Sequence, residues 1–286
     1  MPNTYNSPLE RVKTLTYANA MKSGAMKAFE AQLPASAEQQ RLMTFGALLF
    51  VRNKESCRTF LLKAGKVDAQ LMLSGKWQIE NRTQALQTCE ALANMQVHTP
   101  FGDDIYLNVA RHGQLDPMTS QDLYNKQGIE NAYQHVVKDL ARAGKLRDDP
   151  PDSPEYKLRV MDTLVVAINT GIECYKTSRE MLIDLGYVGS ELNVVDTTAA
   201  WDLGRVSLVA RYGAKAGYLE EADAWRFMQL AADHAAARYT SWKEYLAGYV
   251  FGRALAYGNN SLDNYAVMRY LLNGKTSLYG DVSFKG

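Results

Sequence analysis

An all-α fold is what this sequence predicts, as an irregular multi-helix single domain with at most one short β-hairpin. Three observations carry that expectation. Apolar residues recur at helical spacing along most of the chain, while strand-like alternation is scarce. The periodic segments are rich in Ala, Leu, Met, Lys and Glu, which lose little side-chain freedom in a helix. Glycine or proline closes one segment after another, where a left-handed cap or a chain break belongs.

Taken in order, Leu9 to Leu33 reads as helix and Pro34 stops it. Ser36-Ala-Glu-Gln39 has the spacing of a capping box and opens a helix through Leu42, Phe45, Leu48 and Leu49. Cys57 to Leu62 is short and apolar, and periodicity leaves strand and helix both open. Asn81-Arg-Thr-Gln84 starts a helix carrying Leu86, Cys89 and Leu92, and Asp116-Pro-Met-Thr119 starts another that runs to Ala143. Arg147-Asp-Asp-Pro-Pro-Asp-Ser-Pro154 cannot be helical throughout. It is either a domain boundary or, the reading adopted, a long surface loop within one helical fold.

Two helices then cover Tyr156–Asn169 and Tyr175–Leu185. Next come Ala199–Tyr212, ended by Gly213 and Gly217, and Glu220–Tyr239. The capping box Ser241-Trp-Lys-Glu244 opens a helix ended by Gly258, and a last one runs from Ser261 to Asn273-Gly274. The expected organisation is a helical extension over residues 1–66, a main domain over 67–274 and a tail over 275–286.

Bulk properties narrow the function classes. With 32 Lys+Arg against 31 Asp+Glu the formal net charge is +1, which argues against non-specific attraction to nucleic acid or an anionic membrane. The longest apolar runs, such as Phe45–Val51 and Leu164–Ile168, fall far short of the roughly 20 residues of a membrane span. Cys57, Cys89 and Cys174 are widely spaced and odd in number, which suits buried reduced thiols and a cytoplasmic protein. His98, His112, His135 and His234 are scattered, with no H-E-x-x-H, and His234 falls on a polar helix face as a solvated residue. No metal site and no cofactor are expected. Gly248-x-x-x-Gly252 reads as a close helix contact, and Gly213-Ala-Lys-Ala-Gly217 lacks the ending of a phosphate loop.

The charged residues inside helices are the informative ones. At about 100° per residue, Trp201, Leu208 and Tyr212 share one side of their helix, with Asp202 and Arg205 inside that apolar arc. Gly204, Ser207 and Arg211 fall on the opposite side, which is expected to be wetter. In the helix after Ser241 the arc holds Trp242, Tyr245, Leu246, Tyr249, Val250 and Tyr257, with Arg253 near its centre. A guanidinium does not lose its proton, so a buried arginine needs acceptors. Asp202, three residues from Arg205, is the nearest one. Two readings follow: a buried Arg–Asp–Arg lock between helices, or a pocket in which Asp202, Arg205 and Arg253 meet a carboxylate or phosphate. Trp201, Trp242, Tyr212, Tyr245 and Tyr249 complete the candidate set.

Ala200-Trp201-Asp202-Leu-Gly-Arg205, Arg211-Tyr-Gly213, Ala216-Gly-Tyr218, Ala224-Trp225, Tyr239-Thr-Ser-Trp242 and Gly252-Arg253-Ala resemble, in order and spacing, the bacterial DUF1266 family. Gly75-Lys-Trp77-Gln-Ile with Asn81-Arg82 is similar to that family's N-terminal marker. The resemblance spans about Leu71 to Leu272, is most specific in its last third, and does not reach the first 65 or so residues. Leu219 departs from it, where members carry a small residue before the acidic pair Glu220-Glu221. What it implies is a small, soluble, mostly helical bacterial protein of unassigned role, with Asp202, Arg205, Trp242 and Arg253 at signature positions. The leading functional expectation is a non-enzymatic protein-binding module, an adaptor or an immunity-type inhibitor with a protein partner. The alternative is an enzyme or small-anion sensor built on the Arg/Asp pocket.

Overall fold

A computed structural model describes residues 24–96, 154–257, 264–273 and 278–286. Among them the chain forms twelve helices and no strand, as the sequence predicts. They are α1 (Gly24–Glu30), α2 (Ala37–Thr44), α3 (Ala47–Arg52), α4 (Lys66–Trp77), α5 (Arg82–Ala93), α6 (Pro154–Asp184), α7 (Gly189–Asn193), α8 (Ala200–Ala216), α9 (Glu221–Arg238), α10 (Trp242–Tyr257), α11 (Tyr265–Asn273) and α12 (Leu278–Asp281). The start of the Leu9 helix, the 116–143 helix, the 147–153 loop, Ser261 and three of the four histidines lie outside the described residues. None of the described helices is long and apolar enough to cross a membrane.

Local signals set most boundaries. Ser36 Oγ accepts from the Gln39 amide at 3.2 Å while Gln39 Oε1 accepts from the Ser36 amide at 2.9 Å, closing the predicted capping box of α2. Asn81 Oδ1 caps α5 by accepting from the Gln84 amide at 3.0 Å. At α10 only half of the box forms. Ser241 Oγ accepts from the Glu244 amide, but the Glu244 carboxylate turns to the amide and hydroxyl of Thr240.

Several boundaries differ from expectation. The helix after Ser36 breaks at Phe45-Gly46 into α2 and α3. A Cβ at Gly46 would lie 2.7 Å from Ser207 Cβ, so the break is where another backbone passes. The two helices expected over 156–185 are one, α6, which runs through Thr170-Gly171. An interior glycine weakens a helix by only about 1 kcal/mol, less than packing supplies. Gly213 does not end α8, and Gly217, at φ +81°, does.

Helix α8 is the centre of the molecule. It packs against α3, α4, α5, α9 and α10, and fourteen of its seventeen residues are buried, so it has no wet side. This corrects the expected face assignment: Gly204, Ser207 and Arg211 are buried. Ser207 Oγ donates to the Leu42 carbonyl at 3.4 Å, and Arg211 is only 1 % exposed.

Arg211 also explains the Cys57–Leu62 segment, which is neither strand nor helix. Its guanidinium donates to the carbonyls of Ser56 (2.9 Å), Thr59 (2.8 Å), Leu61 (2.9 Å) and, through Nε, Phe60 (3.3 Å). The Phe50 ring lies 4.1 Å from its Cζ. Those carbonyls have no ladder or helix to join, and buried backbone acceptors must be satisfied somewhere. Burial lowers the Arg211 pKa to about 10, with Cys57 and the buried Glu55 pulling it back up. It therefore stays charged at neutral pH. Glu55 holds the far end of the same loop, accepting from the amides of Lys63 (2.8 Å) and Ala64 (3.1 Å).

Helices α8 and α10 meet through missing side chains, as the Gly248-x-x-x-Gly252 spacing predicts. A Cβ at Gly252 would stand 2.6 Å from the Thr198 carbonyl and 2.7 Å from Trp201 Cβ. One at Gly248 would stand 2.9 Å from the Thr197 carbonyl. Residues 278–286 close the other end of the core. Trp242 Nε1 donates to the Val282 carbonyl at 2.7 Å, and Phe284 packs on Phe45 and Trp242.

Two stability predictions follow. Arg211→Ala leaves several buried carbonyls without donors and should cost on the order of 3–5 kcal/mol in urea unfolding. A loss below about 0.5 kcal/mol, the range of a surface site, would show that the loop satisfies itself without Arg211. Gly252→Ala should cost about 1–3 kcal/mol by forcing α10 off the Thr198 turn. The same change at Gly75, which has open space around its Cβ position, should be neutral or stabilising.

Candidate functional site

The candidate site grows from the first turn of α8. Tyr239 sets that turn, because its hydroxyl accepts from the Ala200 amide and donates to the Thr197 carbonyl, both at 2.9 Å. The amides of Trp201 and Asp202 donate back to Thr198 and Ala199, winding the start tightly. Asp202 thereby sits in the positive end of the helix dipole, where a carboxylate is favoured. One turn on, Arg205 Nη2 donates to Asp202 Oδ1 and Arg205 Nε to the Trp201 carbonyl at 3.3 Å. The guanidinium lies over Trp201 with its Cζ 4.6 Å from the ring centre, and 5.7 Å from that of Trp77 at the end of α4.

Helix α10 supplies the other wall. Tyr249 fits against Gly204, where a Cβ would lie 2.7 Å from its Cε2, and meets Trp201 edge-on at 5.1 Å. Arg253 follows one turn later, 7 % exposed, with its Cζ 5.7 Å from the Tyr257 ring. The Tyr249 hydroxyl is buried and has no hydrogen-bond partner among the described residues. Burial raises its pKa far above the usual phenol value, against the opposing charges of Arg253, Arg205 and Arg52. Tyr249 is therefore a neutral phenol at neutral pH.

The structure thus brings together Trp201, Asp202, Arg205, Tyr249 and Arg253. It does not bring Tyr212 or Trp242 to them, and Tyr245 reaches only the Ala200 carbonyl beside Trp201, at 3.3 Å. For the first two the reason is height along the helix. Tyr212 is seven residues beyond Arg205, and Trp242 is eleven before Arg253, displacements of about 10–16 Å. Tyr212 lies near Glu55 and Arg211, its hydroxyl pushed up to about 12 by burial. The Tyr245 hydroxyl lies 3.0 Å from the Phe45 carbonyl, and Trp242 anchors the Phe45–Tyr279–Phe284 aromatic cluster.

Trp77 and Arg52 are members of the surroundings that sequence reasoning missed, and Tyr257, placed by helical angle on the arc with Arg253, was not counted among the candidates. Trp77 stood in a recognisable motif with nothing to link it to Arg205. Arg52 ends a six-residue helix and gives no signal of its own. His234, expected to be solvated, is half-buried with its Nδ1 covered and unbonded. Among the described residues no group of three or more His, Cys, Asp or Glu side chains is placed to hold a metal ion.

Comparison with known proteins agrees with the resemblance in the motifs. The family model described as "Protein of unknown function (DUF1266)" matches residues 72–284, which include every member of the cluster except Arg52. No curated protein and no solved structure matches the chain. Most of the sequence is spanned by that one match, and the chain belongs to the DUF1266 family.

Proposed function

We propose that the protein is a small-anion sensor, which recognises an oxyanion between Arg205 and Tyr249. The carrying observation is the Tyr249 hydroxyl: 1 % exposed as a residue, unbonded, and under the charges of Arg52, Arg205 and Arg253. A buried polar group without a partner costs about 1–3 kcal/mol, so it calls for an explanation. Guanidinium groups are donors only, and the neutral phenol has its own proton to give. An oxyanion offers several acceptor sites at once and so could take the phenol proton and an Arg205 donor together. Arg205, 13 % exposed in its side chain, provides the approach from solvent.

A second reading, a protein-binding module, is supported by Val67 and Leu71. Each is 65 % exposed, and they stand four residues apart on one face of α4. That helix ends in Trp77, beside Arg205. The three thiols are buried and unpaired, which supports placing either activity in a reducing compartment such as the cytoplasm. A photo-crosslinker at position 71 should give one discrete adduct in an extract of the source cells. The same adducts from exposed position 90 would contradict the protein-binding reading.

The anion reading is tested by thermal shift with phosphate and sulfate, using chloride as control. Wild type should gain stability saturably, by about 2.7 kcal/mol at a hundred-fold excess over Kd. Arg205→Met should lose the gain. Tyr249→Phe should keep or raise the stability of the ligand-free protein, because it removes an unsatisfied hydroxyl, yet weaken the phosphate response about ten-fold. A non-saturating response common to all three proteins would be a general salt effect and would refute an anion site.

A further inference from the structure

Tyr257 is where the site reaches solvent. The residue is 61 % exposed, yet its ring packs on two other side chains. It meets Trp201 edge-on, with the ring centres 5.6 Å apart at 75°, and the Arg253 guanidinium lies 5.7 Å from its centre. Trp201 is also the ring under Arg205 and the ring against Tyr249. One indole therefore joins a buried hydroxyl, a largely covered arginine and an exposed tyrosine.

We infer that the ligand of this site is an oxyanion carried on a flat aromatic ring, with the anionic group at Arg205 and Tyr249 and the ring against Tyr257. The inference rests on the anion reading above and adds the rest of the molecule to it. An inorganic anion would use Arg205 and Tyr249 and leave Tyr257 idle. Trp201 is the surface the two ends share, since Arg205, Tyr249 and Tyr257 all lie against it. Aromatic rings gain from offset or edge-on contact beyond the area they cover, and Tyr257 offers a face whose partner edge is already held. The neighbouring guanidinium favours electron-rich rings over saturated ones on the same surface.

Calorimetric titration of the full chain with inorganic phosphate, phenyl phosphate and cyclohexyl phosphate separates the possibilities. Phenyl phosphate should bind wild type about three- to ten-fold tighter than the other two, the range of one aromatic contact. Tyr257→Ala should abolish that advantage and bind inorganic phosphate as wild type does, which shows that it is folded and that the anion subsite is intact. Equal affinity for all three probes overturns the ring inference and leaves the anion reading standing, and so does an advantage that survives Tyr257→Ala. An equal gain from the cyclohexyl ester shows general apolar contact and also overturns it. If no probe binds, the anion reading itself fails, and this inference with it.

Discussion

The guanidinium of Arg211, sealed between the Phe50 ring and four backbone carbonyls, is the constraint from which the centre of this protein is organised. A loop with no regular structure cannot be buried unless its carbonyls find donors. Arg211 provides several from one side chain, and that permits the 56–61 segment to lie against α8 where a helix face would otherwise meet water. Once that side is covered, α8 is enclosed all round. Its remaining polar residues must then be matched individually: Ser207 to Leu42, the Ala200 amide to Tyr239, Asp202 to Arg205.

Two arginines six residues apart on α8 consequently do opposite things. Arg211 has its donors taken by the protein's own backbone, and its charge is stabilised by dipoles. Arg205 is held at one corner by Asp202, rests on two indoles and keeps an edge towards solvent. Buried ion pairs are weak contributors to net stability, because desolvation offsets attraction. The Asp202–Arg205 pair is better understood as an orienting contact, which fixes the plane of the guanidinium beside Tyr249. The glycines serve the same arrangement, since Gly204 admits the Tyr249 ring and Gly252 lets α10 approach Trp201.

What was legible in the sequence was the chemistry of short spacings. The Ser36 and Asn81 caps, the Asp202–Arg205 pair and the small residues at 248 and 252 all depend on neighbours within one or two turns. What was not legible depends on residues far away in the chain. Arg211 looked wet because its acceptors are carbonyls some 150 positions earlier, and backbone acceptors leave no mark on residue type. Helical angle placed Tyr212 and Trp242 on suitable faces but carried no information on height, so they were grouped with arginines about two and three turns away. Tyr249 lies against Trp201 for a reason the sequence does not contain, the gap at Gly204 that its ring fills.

The division of labour between the two arginines is open to one direct measurement, the guanidinium Nη–H signals of Arg205 and Arg211 by NMR during a phosphate titration. The Arg211 signal should be protected from exchange with water and unmoved by phosphate, because its donors are committed to carbonyls. The Arg205 signal should move saturably. Rapid exchange at Arg211, or a phosphate titration that leaves Arg205 unmoved, would contradict the assignment of one arginine to the fold and the other to the ligand.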